Sequence, residues 1–143
     1  MIQDYIENIC DILNITTPKI SYDTSNFTTT TMLAQINPSG DTIYLKKYYK
    51  SNIDLLFSIA HELRHAWQIK YNKNLYSKKY KPVELCASIE EYNLQLAEID
   101  ANAFAYIVMV DFFQIKPLFH GMSDTVKSKI IERVNELVTE LSE

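Results

Sequence analysis

The stretch that decides the fold is NIDLLFSIAHELRHAWQIK, residues 52–70. Leu55, Leu56, Ile59, Leu63 and Ala66 recur at helical spacing, and Trp67 can anchor the same face. Ser51-Asn52-Ile53-Asp54 resembles a capping box with an acid at the third helical position. One unbroken helix is therefore predicted over 52–70. Within it lies His61-Glu62-Leu63-Arg64-His65. Residues four apart share a helix face, so His61 and His65 can offer two imidazole nitrogens to one metal ion. Glu62 projects from a neighbouring position and can reach a water on that ion. These are the needs of an HExxH site: two zinc ligands and a general base. The plainer alternative is a surface helix with two incidental histidines. Against it, the chain has three histidines and two of them fall in this motif.

A third ligand has to come from downstream. The pattern HExxHxxGxxH is excluded, because position 68 is Gln68 and position 71 is Tyr71. The remaining candidates are Glu84, Glu90, Glu91, Glu98, Asp100 and His120. Glu98 stands out because it opens EIDANAFA, residues 98–105. Positions 98, 101, 102 and 105 share one face, and three of them are Ala or Asn. Small residues allow a close helix approach, so a short carboxylate can reach the metal. The competing reading makes Glu98 an acid favoured by the N-terminal end of a helix dipole. Asn102, one turn on, is placed to orient a ligand or to satisfy backbone as an ordinary buried amide.

Around this centre the chain reads as helix, strands, then helices. Ile2, Tyr5, Ile6, Ile9 and Leu13 predict an amphipathic helix over 2–14, broken by Thr17-Pro18. Residues 19–36 are rich in Thr, Ile, Tyr and Phe and favour strands. Asn37-Pro38-Ser39-Gly40-Asp41 is a turn cluster before a strand at 42–46, which makes 30–46 a hairpin candidate. A short helix is expected in 84–95, a strong one over 97–112, and a last amphipathic helix over 124–141 capped by Ser123. In that last helix Val126, Ile130, Val134, Leu137, Val138 and Leu141 are expected inside. The order argues for one α+β domain spanning 1–143, with helices on one face of a small antiparallel sheet.

Composition narrows the function classes. The 143 residues are 47 % hydrophobic and 22 % charged, ordinary for a globular chain. Two glycines leave no room for a P-loop or a dinucleotide fingerprint. Cys10 and Cys86 are read as packed free thiols, not a disulfide framework or a Cys-rich zinc site. No segment is apolar enough to span a bilayer, and the acidic start MIQDYIENIC does not look like a signal peptide. A cytoplasmic location and no membrane partner are therefore expected. The net charge of −4 divides as −4 over 1–45, +7 over 46–81 and −7 over 82–143. KYNKNLYSKKYK, residues 70–81, holds five Lys and three Tyr. It reads as a solvated loop rather than a nucleic-acid surface, since it lacks Arg, the usual bidentate phosphate ligand.

HELRHAWQ followed by AEIDANAFA resembles the ImmA/IrrE-type zinc metallopeptidases, a gluzincin-like group common in bacteria and their mobile elements. His61, Glu62, Leu63 and His65 match the first part of the family pattern. Glu98, Ala101, Asn102, Phe104 and Ala105 match the ExxANxFA part, and the likeness covers about residues 42–110. The resemblance implies a zincin-like fold, with His61, His65 and Glu98 as zinc ligands and Glu62 as catalytic base. It implies a protein or peptide substrate and, often, a repressor partner. That partner would be a separate protein, since no helix-turn-helix segment is visible here. Arg64 departs from the family's usual Gly and is expected to crowd or polarise the cleft rim.

The expected chemistry is hydrolysis of a peptide bond, with zinc polarising the scissile carbonyl and Glu62 taking the water's proton. The oxyanion would need one more donor, for which Tyr106, His120, Tyr44, Tyr48 and Tyr71 are the candidates. The strand 42–46 is expected to offer an edge to an extended peptide. Two other readings stay open: a non-catalytic binding module on a metallopeptidase fold, and a nucleic-acid-associated protease suggested by the Lys/Tyr run.

Overall fold

A computed structural model of the chain describes residues 1–47, 52–76 and 80–142. Ser51, Tyr48 and the centre of the Lys/Tyr run lie outside the described residues. The chain is α+β and divides into two compact units, Met1–Tyr71 and Asn72–Glu143.

The first unit opens with α1, Ile2–Leu13. Its stripe Tyr5, Ile6, Ile9, Cys10 and Leu13 is buried, as the periodicity predicts. The helix stops before Thr17-Pro18 is reached: Asn14 adopts the left-handed conformation at φ 53°, and the Ile15 amide turns back to the Cys10 carbonyl at 3.0 Å. Three short strands follow: β1 Lys19–Ser21, β2 Ala34–Ile36 and β3 Thr42–Leu45. Most of the Thr-rich stretch between β1 and β2 forms turns and bends, not strand. β-propensity is a statement about packing context, and an isolated polar run has none to exploit.

The sheet corrects the expected antiparallel arrangement. Its order is β1-β3-β2, with β2 antiparallel and β1 parallel to β3. Two chain reversals explain it: one between β1 and β2, and a tight turn at residues 37–41 that returns the chain as β3 in the direction of β1. Gly40 meets that turn's backbone demand with φ +75°. β3 is thus the central strand, with Ile43 and Leu45 fully buried. The expectation that 42–46 offers a free edge is overturned, since both of its edges are paired. The outer edge beside α2 belongs to β2.

α2 runs from Asn52 to Tyr71 without a break. It packs on β2 and on α1. Leu55, Leu56, Ile59, Ala60 and Leu63 are buried, and the Tyr5 hydroxyl donates to the Leu56 carbonyl at 2.8 Å.

The second unit holds a 3₁₀ turn Val83–Leu85 and three helices: α3 Ile89–Asn93, α4 Leu96–Phe113 and α5 Asp124–Ser142. Every residue of α4 from Ala97 to Ala105 is buried. α4 packs against α5 through Val126, Ile130, Val134 and Leu137, all buried as expected. Val138 and Leu141 are not: they are 49 % and 63 % exposed and line an open groove with Tyr106, Ile107 and Val110. Ser123 caps α5 as expected, its hydroxyl accepting the Val126 amide at 3.2 Å. No described helix is long and apolar enough to cross a membrane.

Candidate metal centre

The HExxH residues sit in the middle of α2, where the backbone is held by intrahelical bonds and the buried stripe fixes the helix rotation. His61 and His65, one turn apart, bring their Nε2 atoms to 3.1 Å. Their rings meet edge to face, with centroids 4.7 Å apart. The His65 ring is buried and His61 is half-buried.

The tautomer of His65 follows from its other nitrogen. Nδ1 lies 2.8 Å from Oε1 of Gln68, a fully buried side chain. An amide oxygen only accepts, so Nδ1 carries the proton and Nε2 presents its lone pair. Metal-binding histidines are oriented in this way, by an acceptor on the nitrogen that faces away from the ion. Gln68, the buried partner of His65, is not among the site residues expected from the sequence. It entered only as the residue that ruled out a glycine, although its i, i+3 offset from His65 on the same helix is a legible signal.

Glu62 is tied to the sheet. Its Oε1 accepts the backbone amide of Ile36 at 3.0 Å, while Oε2 lies 3.9 Å from Nε2 of His65. The β2–β3 register pairs Gln35 with Tyr44, and the flanking bonds run from Lys46 to the Leu33 carbonyl and from Asn37 to the Thr42 carbonyl. In an antiparallel ladder this turns the Ile36 amide away from β3, towards the outer edge of β2. The edge strand thereby fixes one carboxylate oxygen and leaves the other near the histidine pair.

Arg64 lies next to His65 on α2. It is buried, and its guanidinium stacks over the Trp67 ring at 3.6 Å from the centroid.

In the second unit, Glu98 lies in the first turn of α4 and is 2 % exposed. Its Oε2 accepts the Tyr80 hydroxyl at 2.7 Å. The Tyr80 hydroxyl also lies 3.2 Å from that of Tyr92, and its ring stacks on Tyr76 with centroids 4.3 Å apart. Burial, reinforced by the Glu98 charge, pushes the Tyr80 phenol far above its ordinary range, so it is a fixed donor. This corrects the solvated-loop reading for Tyr80, which turns inward, while Lys70, Lys73 and Lys81 are exposed as expected.

The remaining candidates occupy varied settings. Asn102 is buried on α4, one turn past Glu98. Tyr106 is two turns past Glu98 and stacks with Phe119 at 6.0 Å. His120 is exposed in the loop before α5. Tyr44 is half-buried on β3, and the exposed Tyr71 donates to the Asn14 carbonyl at 2.6 Å. Cys10 and Cys86 are free; burial pushes the Cys10 thiol up to about 11, which suits a packed and unreactive group.

Comparison with known proteins yields no relative: no family model matches the chain, and neither a curated protein nor a solved structure matches it.

Proposed function

We propose that the chain is a zinc-dependent endopeptidase of the ImmA/IrrE-like, zincin type, with His61, His65 and Glu98 as metal ligands and Glu62 as general base. The observation that carries this reading is the convergence of the two Nε2 atoms to 3.1 Å. With Nδ1 of His65 committed to Gln68, its Nε2 lone pair faces His61, where it can accept an Nε2–H or be shared with His61 by a bound cation. The donor types also suit the purpose: two imidazoles and a carboxylate make a His₂Glu set, a catalytic zinc set that keeps a position open.

When bound, zinc would lower the pKa of the attacking water towards about 7 and polarise the scissile carbonyl. The protein's own part is proton handling and positioning. Glu62, anchored through Oε1 by Ile36, takes the proton of the attacking water on Oε2 and returns it to the leaving amine. Beyond the Ile36 amide, which Glu62 holds, the outer edge of β2 presents backbone groups to which an extended peptide can pair. The substrate is proposed to be an intracellular protein, such as a repressor supplied as a separate chain, with cleavage in the cytoplasm.

Elemental analysis of purified protein tests the first half: about one zinc per chain is expected, and none would refute the reading. Peptide cleavage tests the second. Glu62→Gln keeps shape and hydrogen bonding but cannot take a proton, so cleavage should fall about 10²–10⁴-fold with zinc content unchanged. Equal cleavage by wild type and Glu62→Gln would favour a binding module over a peptidase.

A further inference from the structure

We infer that the C-terminal half of α5 is a self-association surface, on which a second copy of the chain packs its own α5 in the antiparallel sense. The surface lies within the second unit and needs no metal ion. Ile131, Val134, Val138 and Leu141 stand three, four and three residues apart, the a/d spacing of a helix-pairing seam. Val134 is buried, but Ile131 is 41 % exposed and Val138 and Leu141 more so. One exposed apolar side chain is ordinary; three along one stripe at this spacing are what a second helix covers. Beside the seam, Val138 and Leu141 line an open groove of about 360 Å³ with Ile107 and Val110, a recess for apolar side chains of the second copy.

Charge selects that occupant. With about 3.6 residues per turn, Glu132, Arg133, Glu136 and Glu140 fall away from the seam. There Arg133 bonds Glu136 at 2.8 Å and Glu140 at 3.4 Å. At the N-terminal end of the seam's own face stands Lys127, one turn before Ile131. The last turn of α5 holds no basic residue, so its terminal carbonyls, the negative end of the helix dipole, receive no cation from α5 itself. An antiparallel pair that sets Ile131 opposite Val138 of the second copy brings Lys127 to the last turn of the opposing helix. Twofold symmetry makes the same contact twice. A parallel pair would set Lys127 against its own copy and leave both C-terminal ends without a cation. The seam from Ile131 to Leu141 is roughly 15 Å long. That falls short of the about 800 Å² a side of a standard interface, so the pair is weak and concentration-dependent.

Sedimentation equilibrium of the full chain tests this, with a dimer expected to populate below about 1 mM chain. Two variants locate it. Val138→Lys places a charge in the seam and should weaken association at least about 10-fold. Lys127→Glu sets an acid opposite each C-terminal end and should weaken association about 10-fold, with the larger loss at low salt. The melting temperature of the Lys127→Glu monomer should hold or rise, because an acid near the start of α5 suits its own dipole. A merely structural lysine would behave in reverse, lowering the melting temperature and leaving association unchanged. A chain that stays monomeric up to about 1 mM overturns the inference. A dimer insensitive to Val138→Lys overturns it too, by placing the interface elsewhere. Association unchanged or tightened by Lys127→Glu overturns the antiparallel pairing. If Val138→Lys does not fold, Leu141→Lys, at a more exposed position of the same seam, decides in its place.

Discussion

α2 and α4 are nearly equal in length, 20 and 18 residues, and both place proposed ligands on a helix, but they orient them by different means. On α2 the orientation is mostly local. His61, Glu62, His65 and Gln68 lie within two turns, and helical spacing alone makes the Gln68 bond and the imidazole convergence geometrically available. One distant group, the Ile36 amide, adds a fixed point for Glu62. On α4 the helix supplies position and burial, but the hydroxyl on Glu98 arrives from Tyr80, 18 residues upstream. A donor set of this kind therefore has one half encoded in a short motif and one half encoded in the path of the chain.

The strongest way to break the comparison is to remove a ligand from the local half. His65→Ala deletes one of the two convergent nitrogens and strands the buried Gln68 amide. Zinc content should fall from about one per chain to near zero, measured by elemental analysis after dialysis. The stability linked to metal binding should go with it, seen as loss of the melting-temperature gain that added zinc gives wild type. Retention of full zinc content would detach α2 from the metal altogether.

A finer cut leaves every ligand in place and removes only the local orienting group. Gln68→Leu leaves the His65 Nδ1–H buried without its acceptor, which should cost about 1–3 kcal/mol in stability. Zinc affinity should fall about 10–100-fold, a loss comparable to that from an outer partner elsewhere. Gln68→Glu restores an acceptor at the same reach and should recover most of the affinity. Chelator competition on the three proteins checks the order wild type, Gln68→Glu, Gln68→Leu. An unchanged affinity for Gln68→Leu would mean that His65 is oriented by the helix alone.

The same local-versus-distant split explains what the sequence made legible. The four long helices follow from 3.6-residue periodicity and from end signals such as Ser123, because these are short-range properties. The motif on α2 was readable for the same reason. The parallel pairing of β1 with β3 was not. Strands of three and four residues carry too little alternation to set a register, and the order β1-β3-β2 depends on where the chain travels between residues 22 and 33. Val138 and Leu141 continue the apolar stripe of α5, but the periodicity says nothing of where the partner surface ends. Tyr80 was hidden differently: its lysine neighbours made the run look uniformly solvated, while the aromatic positions in it follow another rule.

The smallest expected effect lies in the scaffold of the second unit and separates support from orientation. Ser123 makes two contacts: its hydroxyl accepts the Val126 amide at 3.2 Å and lies 2.5 Å from Glu90 Oε1, to which it donates. The first caps α5 and the second ties that cap to α3. Ser123→Ala removes both. Loss of a serine cap costs typically about 1 kcal/mol, and the bond to an exposed carboxylate adds little in water. The melting temperature of the metal-free protein should drop by a few degrees, on the order expected for about 1 kcal/mol in a chain of this size. Zinc affinity and the visible spectrum of the cobalt-substituted protein should stay at wild-type values, because Arg133, which bonds Asp100 at 2.9 Å, still joins α5 to α4 two residues from Glu98. If Ser123→Ala instead shifted the cobalt bands, the Glu98 carboxylate would be oriented by the whole α3–α5 scaffold and not by the Tyr80 hydroxyl alone. The contrast between a locally set and a remotely clamped ligand would then become one between a single helix and an entire unit.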